Sequence, residues 1–126
     1  MENYTGGCSC GQQQSTATYE NQKHVHELLG STLLAGAYGC RAAHNHRFAV
    51  ITDEEIPYGE SHVHEVEFRT DTCDDHHHEF CGKTGPAVWL CDGRHVHYLE
   101  GSTNTSDGHK HEFRAATLIE SPTCCE

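Results

Sequence analysis

The chain has 126 residues, 35% of them hydrophobic, and its 19 acidic and 8 basic side chains give a formal net charge of −11. This acidity argues against binding to nucleic acid or to an anionic membrane surface. A single domain of this size has a thin apolar core, so metal ions or disulfides would have to supply part of its stability. We expect no membrane insertion, since no apolar run has the length of a transmembrane span.

Residues 1–22 are rich in Gly, Gln, Ser and Thr, which predicts an extended N-terminal arm. Residues 123–126 form a second, short arm at the other end of the chain. Both arms carry cysteines, and the adjacent pair in the C-terminal arm is hard to bridge internally without strain. We therefore expect disulfides between copies of the chain, formed by Cys8, Cys10, Cys124 and Cys125.

Residues 23–122 contain one short motif, His-x-His, six times, and an apolar residue follows each motif two positions later. Side chains of a β-strand alternate between its two faces, so both histidines of a motif point to the same side as that apolar residue. The pattern predicts twelve inward-facing histidines: His24 and His26, His44 and His46, His62 and His64, His76 and His78, His95 and His97, and His109 and His111.

The motifs alternate between two forms, which indicates an internal repeat. The first, third and fifth read His-Val-His, whereas the second, fourth and sixth are followed by Arg-Phe or Glu-Phe. Asp107-Gly108 directly before the last motif is a turn signal of the kind found between strands. We predict an all-β domain of three two-stranded repeats around a pseudo-threefold axis, with an extended arm at each end.

Twelve inward-facing imidazoles need partners, because each buried polar group without one costs roughly 1–3 kcal/mol. Coordination to transition-metal ions removes this cost, and imidazole binds such ions without help from carboxylates or thiolates. The pattern therefore predicts bound metal as the cofactor, with iron, zinc, cobalt, nickel and copper as the candidate ions.

Two arrangements of the histidines satisfy the repeat. Three equivalent strands around one axis would give six nitrogens per ion at about 2.1 Å, and hence two sites. One site would use His24, His26, His62, His64, His95 and His97, and the other His44, His46, His76, His78, His109 and His111. Alternatively, the two motifs of each hairpin bind one ion, which gives three tetrahedral four-histidine sites and favours zinc.

Four further cysteines lie close to the motifs in sequence: Cys40, Cys73, Cys81 and Cys91. Their spacing is not the Cys-x-x-Cys spacing of zinc knuckles. They could supply thiolate ligands or bridge neighbouring loops, and we favour bridges.

An ion surrounded by six imidazoles has no open position for water or substrate, which is typical of a structural metal. Glutamates beside the motifs, such as Glu65, lie on the opposite strand face and are poorly placed as a general base. We therefore expect a structural metal-binding protein, not an enzyme, whose cysteine arms link it to copies of itself in a filament or surface layer. The alternative is a soluble cytoplasmic metal buffer or metal chaperone, and a third hypothesis is a metalloenzyme with one incomplete site.

The phrases His-Val-His-Glu-Leu-Leu-Gly-Ser-Thr and Asp-Gly-His-Lys-His-Glu-Phe-Arg-Ala-Ala-Thr resemble the YmaF-like family of small bacterial histidine-rich proteins, over roughly residues 24–122. This resemblance implies a bacterial origin and the same repeat. Gly93-Arg94-His95-Val96-His97 is also similar to the Gly-x-His-x-His strands of some phage tail-fibre tips, where three chains bind a column of iron ions. The other five motifs lack that glycine, so only the coordination idea carries over. The chain does not begin like a signal peptide, and we favour an extracellular, cell-surface or spore-surface location over the cytoplasm.

Overall fold

The computed structural model describes residues 23–123, in which nine β-strands and no helix are found. The strands are β1 (His24–Ser31), β2 (Arg47–Ile51), β3 (Glu55–Tyr58), β4 (Ser61–Arg69), β5 (Glu79–Lys83), β6 (Ala87–Trp89), β7 (His95–Ser102), β8 (Glu112–Ala116) and β9 (Glu120–Pro122). The predicted all-β fold is thus confirmed. Over the same range, no helix is long and apolar enough to cross a membrane. The N-terminal arm and the four arm cysteines lie outside the described residues.

The strands form three antiparallel sheets, in the orders β2-β1-β9, β3-β4-β5 and β6-β7-β8. Each sheet has a His-Val-His strand at its centre and, on one side, the strand that follows the other motif. These pairs are the predicted two-stranded repeats. The third strand of each sheet was not predicted, and in the first sheet it comes from the far end of the chain: β9 pairs with β1, so that Glu120 lies opposite His26. This pairing joins the last repeat to the first.

The apolar residues after the motifs form the core between the three sheets. The fully or nearly fully buried members are Leu28, Phe48, Val66, Phe68, Leu99 and Phe113. The rings of Phe48 and Phe68 stack at a centroid distance of 4.3 Å. Gly82 makes room for the ring of Phe80, because a Cβ at Gly82 would lie 2.6 Å from Cζ of that ring. Val50, Phe80 and Ala115 pack against this cluster, so each of the six long strands contributes only one or two apolar side chains and the core is small.

The two motifs of a hairpin lie at opposite ends of this core. His26 is near the start of β1. His46 directly precedes the antiparallel strand β2, and its carbonyl accepts the N–H of Thr32, which lies just past the end of β1. Six residues of strand separate His26 from Thr32, or about 20 Å. The two motifs of one hairpin cannot share an ion over that distance. The arrangement of three four-histidine sites is therefore wrong.

The four cysteines near the motifs are free thiols: Cys40, Cys73, Cys81 and Cys91. The expectation that they bridge neighbouring loops is wrong for these residues. They lie on outward strand positions or in separate surface turns, and three are exposed, so none is brought to face another. The groups of side chains that could hold a metal ion in the described part of the chain contain histidines alone.

Candidate metal sites

The structure gathers the twelve predicted histidines into two sets of six, one at each end of the core. Site 1 consists of His24, His26, His62, His64, His95 and His97, whose possible ligand atoms all lie within 4.8 Å of one another. Site 2 contains five histidines that meet the same limit: His44, His46, His76, His109 and His111. His78 completes site 2, because its ring centroid lies 4.7–5.0 Å from the rings of four of them. Buried groups of this kind could coordinate a metal ion.

The Nε2 atoms of the first histidines of the motifs are spaced as neighbouring donors of an octahedron. In site 1 they are separated by 3.2 Å between His24 and His62, and by 3.1 Å from His95 to each of these. In site 2 His76 lies 3.2 Å from both His44 and His109 by the same measure. Octahedral bonds of about 2.1–2.2 Å put neighbouring donors about 3.0–3.1 Å apart, whereas a tetrahedron with bonds of about 2.1 Å needs about 3.4 Å.

The packing of the rings shows the same symmetry. Within each site the rings meet edge to face, with centroids 4.5–5.1 Å apart. Each ring contacts the others of its site except one. The exceptions form pairs that face each other across the centre: His24 and His97, His26 and His62, and His64 and His95 in site 1, and His44 and His78, His46 and His109, and His76 and His111 in site 2. Three opposed pairs are what an octahedron of ligands requires.

We call the second histidine of each motif inner and the first outer. Every inner histidine is fully buried and directs Nδ1 at a backbone carbonyl oxygen. In His64, for example, Nδ1 lies 2.7 Å from the oxygen of Asp53. The other five contacts, at 2.8–3.1 Å, join His26 to Leu118, His46 to Asp71, His78 to Asn104, His97 to Gly85 and His111 to Leu33. Because a carbonyl oxygen can only accept, Nδ1 carries the proton and Nε2 keeps its lone pair for a metal.

Five inner histidines have a buried Nε2 without a hydrogen-bond partner: His46, His64, His78, His97 and His111. An unsatisfied buried acceptor costs about 1–3 kcal/mol. The same nitrogens converge on the centre of their site. A transition-metal ion would use each of these lone pairs, so the residues present fit such an ion.

Six threonines position the inner histidines. The backbone N–H of His64 donates to Oγ1 of Thr84 at 3.1 Å, and the N–H of Thr84 donates to the carbonyl of His64 at 2.9 Å. The carbonyl of the next residue, Gly85, accepts from Nδ1 of His97 in the neighbouring hairpin. The same bonds recur around both sites, with Thr32, Thr52, Thr70, Thr84, Thr103 and Thr117. Our sequence interpretation missed them, although each stands six residues after an inner histidine, on the same strand face.

The residue after each threonine also joins neighbouring hairpins through its backbone. The N–H of Gly85 donates to the carbonyl of Tyr98, which directly follows His97, at 2.9 Å. The equivalent bonds run from Leu33 to Glu112, Asp53 to Glu65, Asp71 to Arg47, Asn104 to Glu79 and Leu118 to Glu27. One hydrogen-bond network therefore holds the three hairpins together and orients the inner histidines.

The outer histidines have less uniform surroundings. In site 1, Glu55 lies 3.4 Å from Nδ1 of His24, and Glu120 lies 3.3 Å from Nδ1 of His95. Each carboxylate also accepts the backbone N–H of the same histidine. In the third sheet Ala87 holds the position of these glutamates in the strand register, opposite the inner histidine His97. The N–H of Ala87 donates to Oγ of Ser61, the residue before His62, at 3.1 Å. Site 2 has two carboxylates as well, with Asp74 at 3.7 Å from His44 and Asp107 at 3.3 Å from His76. A carboxylate near Nδ1 makes an imidazole a stronger ligand.

Burial keeps these imidazoles in the neutral form that binds metal. It lowers the pKa of His26, His62 and His78 to about 4 and that of His97 to about 3. Burial also lowers the pKa of His44, His46, His64, His95 and His111. Neighbouring imidazoles act in the same direction, because a second positive charge would be repelled. These nine imidazoles are thus neutral ligands at pH 7, five of them in site 1 and four in site 2.

Comparison with known proteins agrees with the repeat seen in the sequence. No curated protein and no solved structure matches the chain. Residues 21–119 match the model of the YmaF family, which is described as spore germination protein GerY/YamF. The match covers all six His-x-His motifs and most of the chain. The chain therefore belongs to the YmaF family.

Proposed function

We propose that this protein is a structural metal-binding protein that holds two transition-metal ions, each in a site of six histidines. The observation that carries the proposal is the octahedral set of Nε2 atoms at each end, with inner Nδ1 atoms already committed to backbone carbonyls. Six neutral nitrogens around one centre suit a divalent first-row ion such as iron(II), cobalt(II) or nickel(II). Two carboxylates beside the outer histidines of each site would balance its double positive charge.

The proposed role is structural, not catalytic. Six imidazoles fill the coordination sphere of an octahedral ion and leave no position for water or a substrate. The carboxylates near the sites face Nδ1 atoms on the side away from the centre, where they support ligands. A metal-free chain would keep twelve imidazoles beside a small apolar core, so bound ions would contribute much of the folding free energy.

The proposal extends to a durable assembly. The family description names spore germination, and a fold held by two fully coordinated ions suits a surface exposed to harsh conditions. The cysteines of the two arms, Cys8, Cys10, Cys124 and Cys125, would link copies of the chain by disulfides. Denaturing electrophoresis with and without reductant tests this part: ladders that collapse on reduction support it, and identical monomer bands contradict it.

Metal analysis of the purified protein tests the main proposal. We expect two ions per chain by plasma mass spectrometry, falling to one in His64→Ala, which damages site 1, and in His46→Ala, which damages site 2. His77→Ala is the matched control, because His77 is the one histidine of the sequence outside both sites. A metal-free protein that is fully folded would contradict the proposal. Rapid exchange at both sites with a folded metal-free form would instead support a metal buffer.

A further inference from the structure

The two sites differ in how they are closed. We propose that site 2 is a permanently occupied structural site, whereas site 1 exchanges its ion with solvent through a cleft at its end of the molecule. This inference rests on the proposed function, since it assigns different exchange behaviour to the two sites proposed there. It follows from the backbone that lies against site 2 and from the side chains that surround site 1.

A long loop covers site 2. Eleven residues, 33–43, connect Thr32 to His44, whereas five connect Thr70 to His76 and five connect Thr103 to His109. The extra length brings Gly36 against the outer histidines: a Cβ there would lie 2.5 Å from Cε1 of His44 and 3.0 Å from Nε2 of His109. Its φ of +88° is one that other residues rarely adopt. Only glycine allows the backbone to approach this closely.

The loop of residues 33–43 is held in place on both sides of Gly36. Ala35 and His44 exchange two backbone hydrogen bonds of 3.0 and 2.9 Å. The guanidinium of Arg41 donates twice to Oδ2 of Asp107, both at 2.9 Å, and the same oxygen lies 3.3 Å from Nδ1 of His76. Release of an ion from site 2 therefore requires several of these bonds to break together. Such local opening is slow because its free energy adds to the barrier for ligand exchange.

Site 1 lies at the bottom of a cleft. The cleft is lined by the three outer histidines and by side chains that include Glu55, Glu60, Glu120 and Trp89. The three glutamates would attract cations to its mouth. The outer histidine His62 has Ala87 beside it where the other two have a glutamate, and is the first ligand we expect to dissociate. Trp89 is 61% exposed, and its ring centroid lies 4.7 Å from that of His95.

Trp89 supplies a probe specific to site 1, because it is the only tryptophan in the sequence. The experiment uses the full chain loaded with cobalt(II), whose open d shell quenches a nearby indole. Excess EDTA is added, and both the fluorescence and the cobalt retained after desalting are followed. We expect one ion to leave at least about tenfold faster than the other, as the local-opening argument requires. Trp89 fluorescence should recover with the faster phase only.

Site-specific variants assign the two phases. In His62→Ala only site 2 should hold an ion, which should leave slowly and without effect on the fluorescence of Trp89. In His76→Ala only site 1 should hold an ion, which should leave quickly with full recovery of that fluorescence. Gly36→Ala should speed the slow phase or empty site 2 while the fast phase stays unchanged. Gly39→Ala is its control, since Gly39 also has a positive φ, +58°, but a Cβ there would meet nothing within 4 Å.

Each failure has a distinct meaning. Two ions that leave at one rate, or fluorescence that recovers with the slower phase, would overturn the inference and leave the proposed function standing. A slow remaining ion in His76→Ala would overturn it as well, even if Gly36→Ala fails to fold. Failure of the chain to bind cobalt would overturn the inference together with the proposed function.

Discussion

The inner and outer histidines stand two residues apart and direct the same nitrogen at the same centre, yet the protein supports them differently. All six inner rings are fully buried, bond a carbonyl from the neighbouring hairpin and sit opposite a threonine. The outer rings have a carboxylate in four cases, and His62 has an alanine in that position. The comparison teaches that the inner rings are part of the hydrogen-bond network of the fold, whereas we propose that the outer rings complete the coordination and control access.

Removal of the ions should produce the largest effect, because it deprives both kinds of ring of their common partner. Structural metal ions contribute on the order of 10 kcal/mol to small domains of this type. We expect chelation of both ions to unfold the protein, with loss of the β signal in circular dichroism and recovery when metal is restored. Chelator saturated with metal beforehand is the control. An unchanged melting temperature after complete metal removal would contradict the account.

Single substitutions should separate inner from outer rings. Both His64→Ala and His62→Ala remove a ligand of site 1, so both lose the contribution of its ion. His64→Ala also leaves the Asp53 carbonyl without its donor and opens a buried cavity, for an additional loss of about 3–5 kcal/mol. In His62→Ala, two residues away at the edge of the cleft, the additional loss should be less than half as large. The free energy of unfolding from denaturant titration measures both, with His77→Ala expected to stay within about 0.5 kcal/mol of the parent. Equal losses at the two positions would show that the proposed distinction is wrong.

The threonines test whether the inner rings are stabilised through their backbone. Thr84→Val keeps the shape of the side chain but removes the oxygen that accepts the N–H of His64, and should lower the free energy of unfolding by about 1–2 kcal/mol. Thr105→Val, at an exposed position after β7, is the matched control. If both variants unfold at the same denaturant concentration as the parent, the threonine bonds do not contribute to stability.

The carboxylates should give the smallest effect, confined to metal binding at one site. Glu120→Gln weakens the support of His95 and should reduce affinity at site 1 about tenfold, read from Trp89 fluorescence during metal titration. Glu100→Gln, on the exposed face of β7, should leave the titration unchanged. Ala87→Glu offers the reverse test, since it supplies the carboxylate that His62 lacks and should tighten binding. A shift of the same size in Glu100→Gln would point to overall charge as the cause.

Much of this arrangement could be predicted from the sequence, because strand alternation is a local property. In β1, for example, His24, His26 and Leu28 share one face because side chains alternate along a strand. The same alternation in the other strands predicted the twelve inward histidines and the apolar core positions. The choice between two six-histidine sites and three four-histidine sites required the antiparallel pairing of β1 with β2, which no local pattern fixes. The structure settles that choice.

Other features depended on contacts between distant parts of the chain. The pairing of β9 with β1 joins residues almost a hundred positions apart, and Glu120 reaches His95 only through it. Gly36 gave no sequence signal, since its role depends on the path of a long loop. The threonines could have been found, because the spacing of six residues from inner histidine to threonine recurs in all six strands. The predicted loop bridges failed because the four cysteines lie in separate turns or on an outward strand position, and three of them are exposed: Cys40, Cys81 and Cys91, with Cys73 partly buried.

X-ray absorption spectroscopy of the protein with its native metal tests the central claim most directly. We predict a single shell of six imidazole nitrogens at about 2.1–2.2 Å, with two ions per chain. A four-coordinate shell near 2.0 Å, or any sulfur ligand at about 2.3 Å, would contradict it.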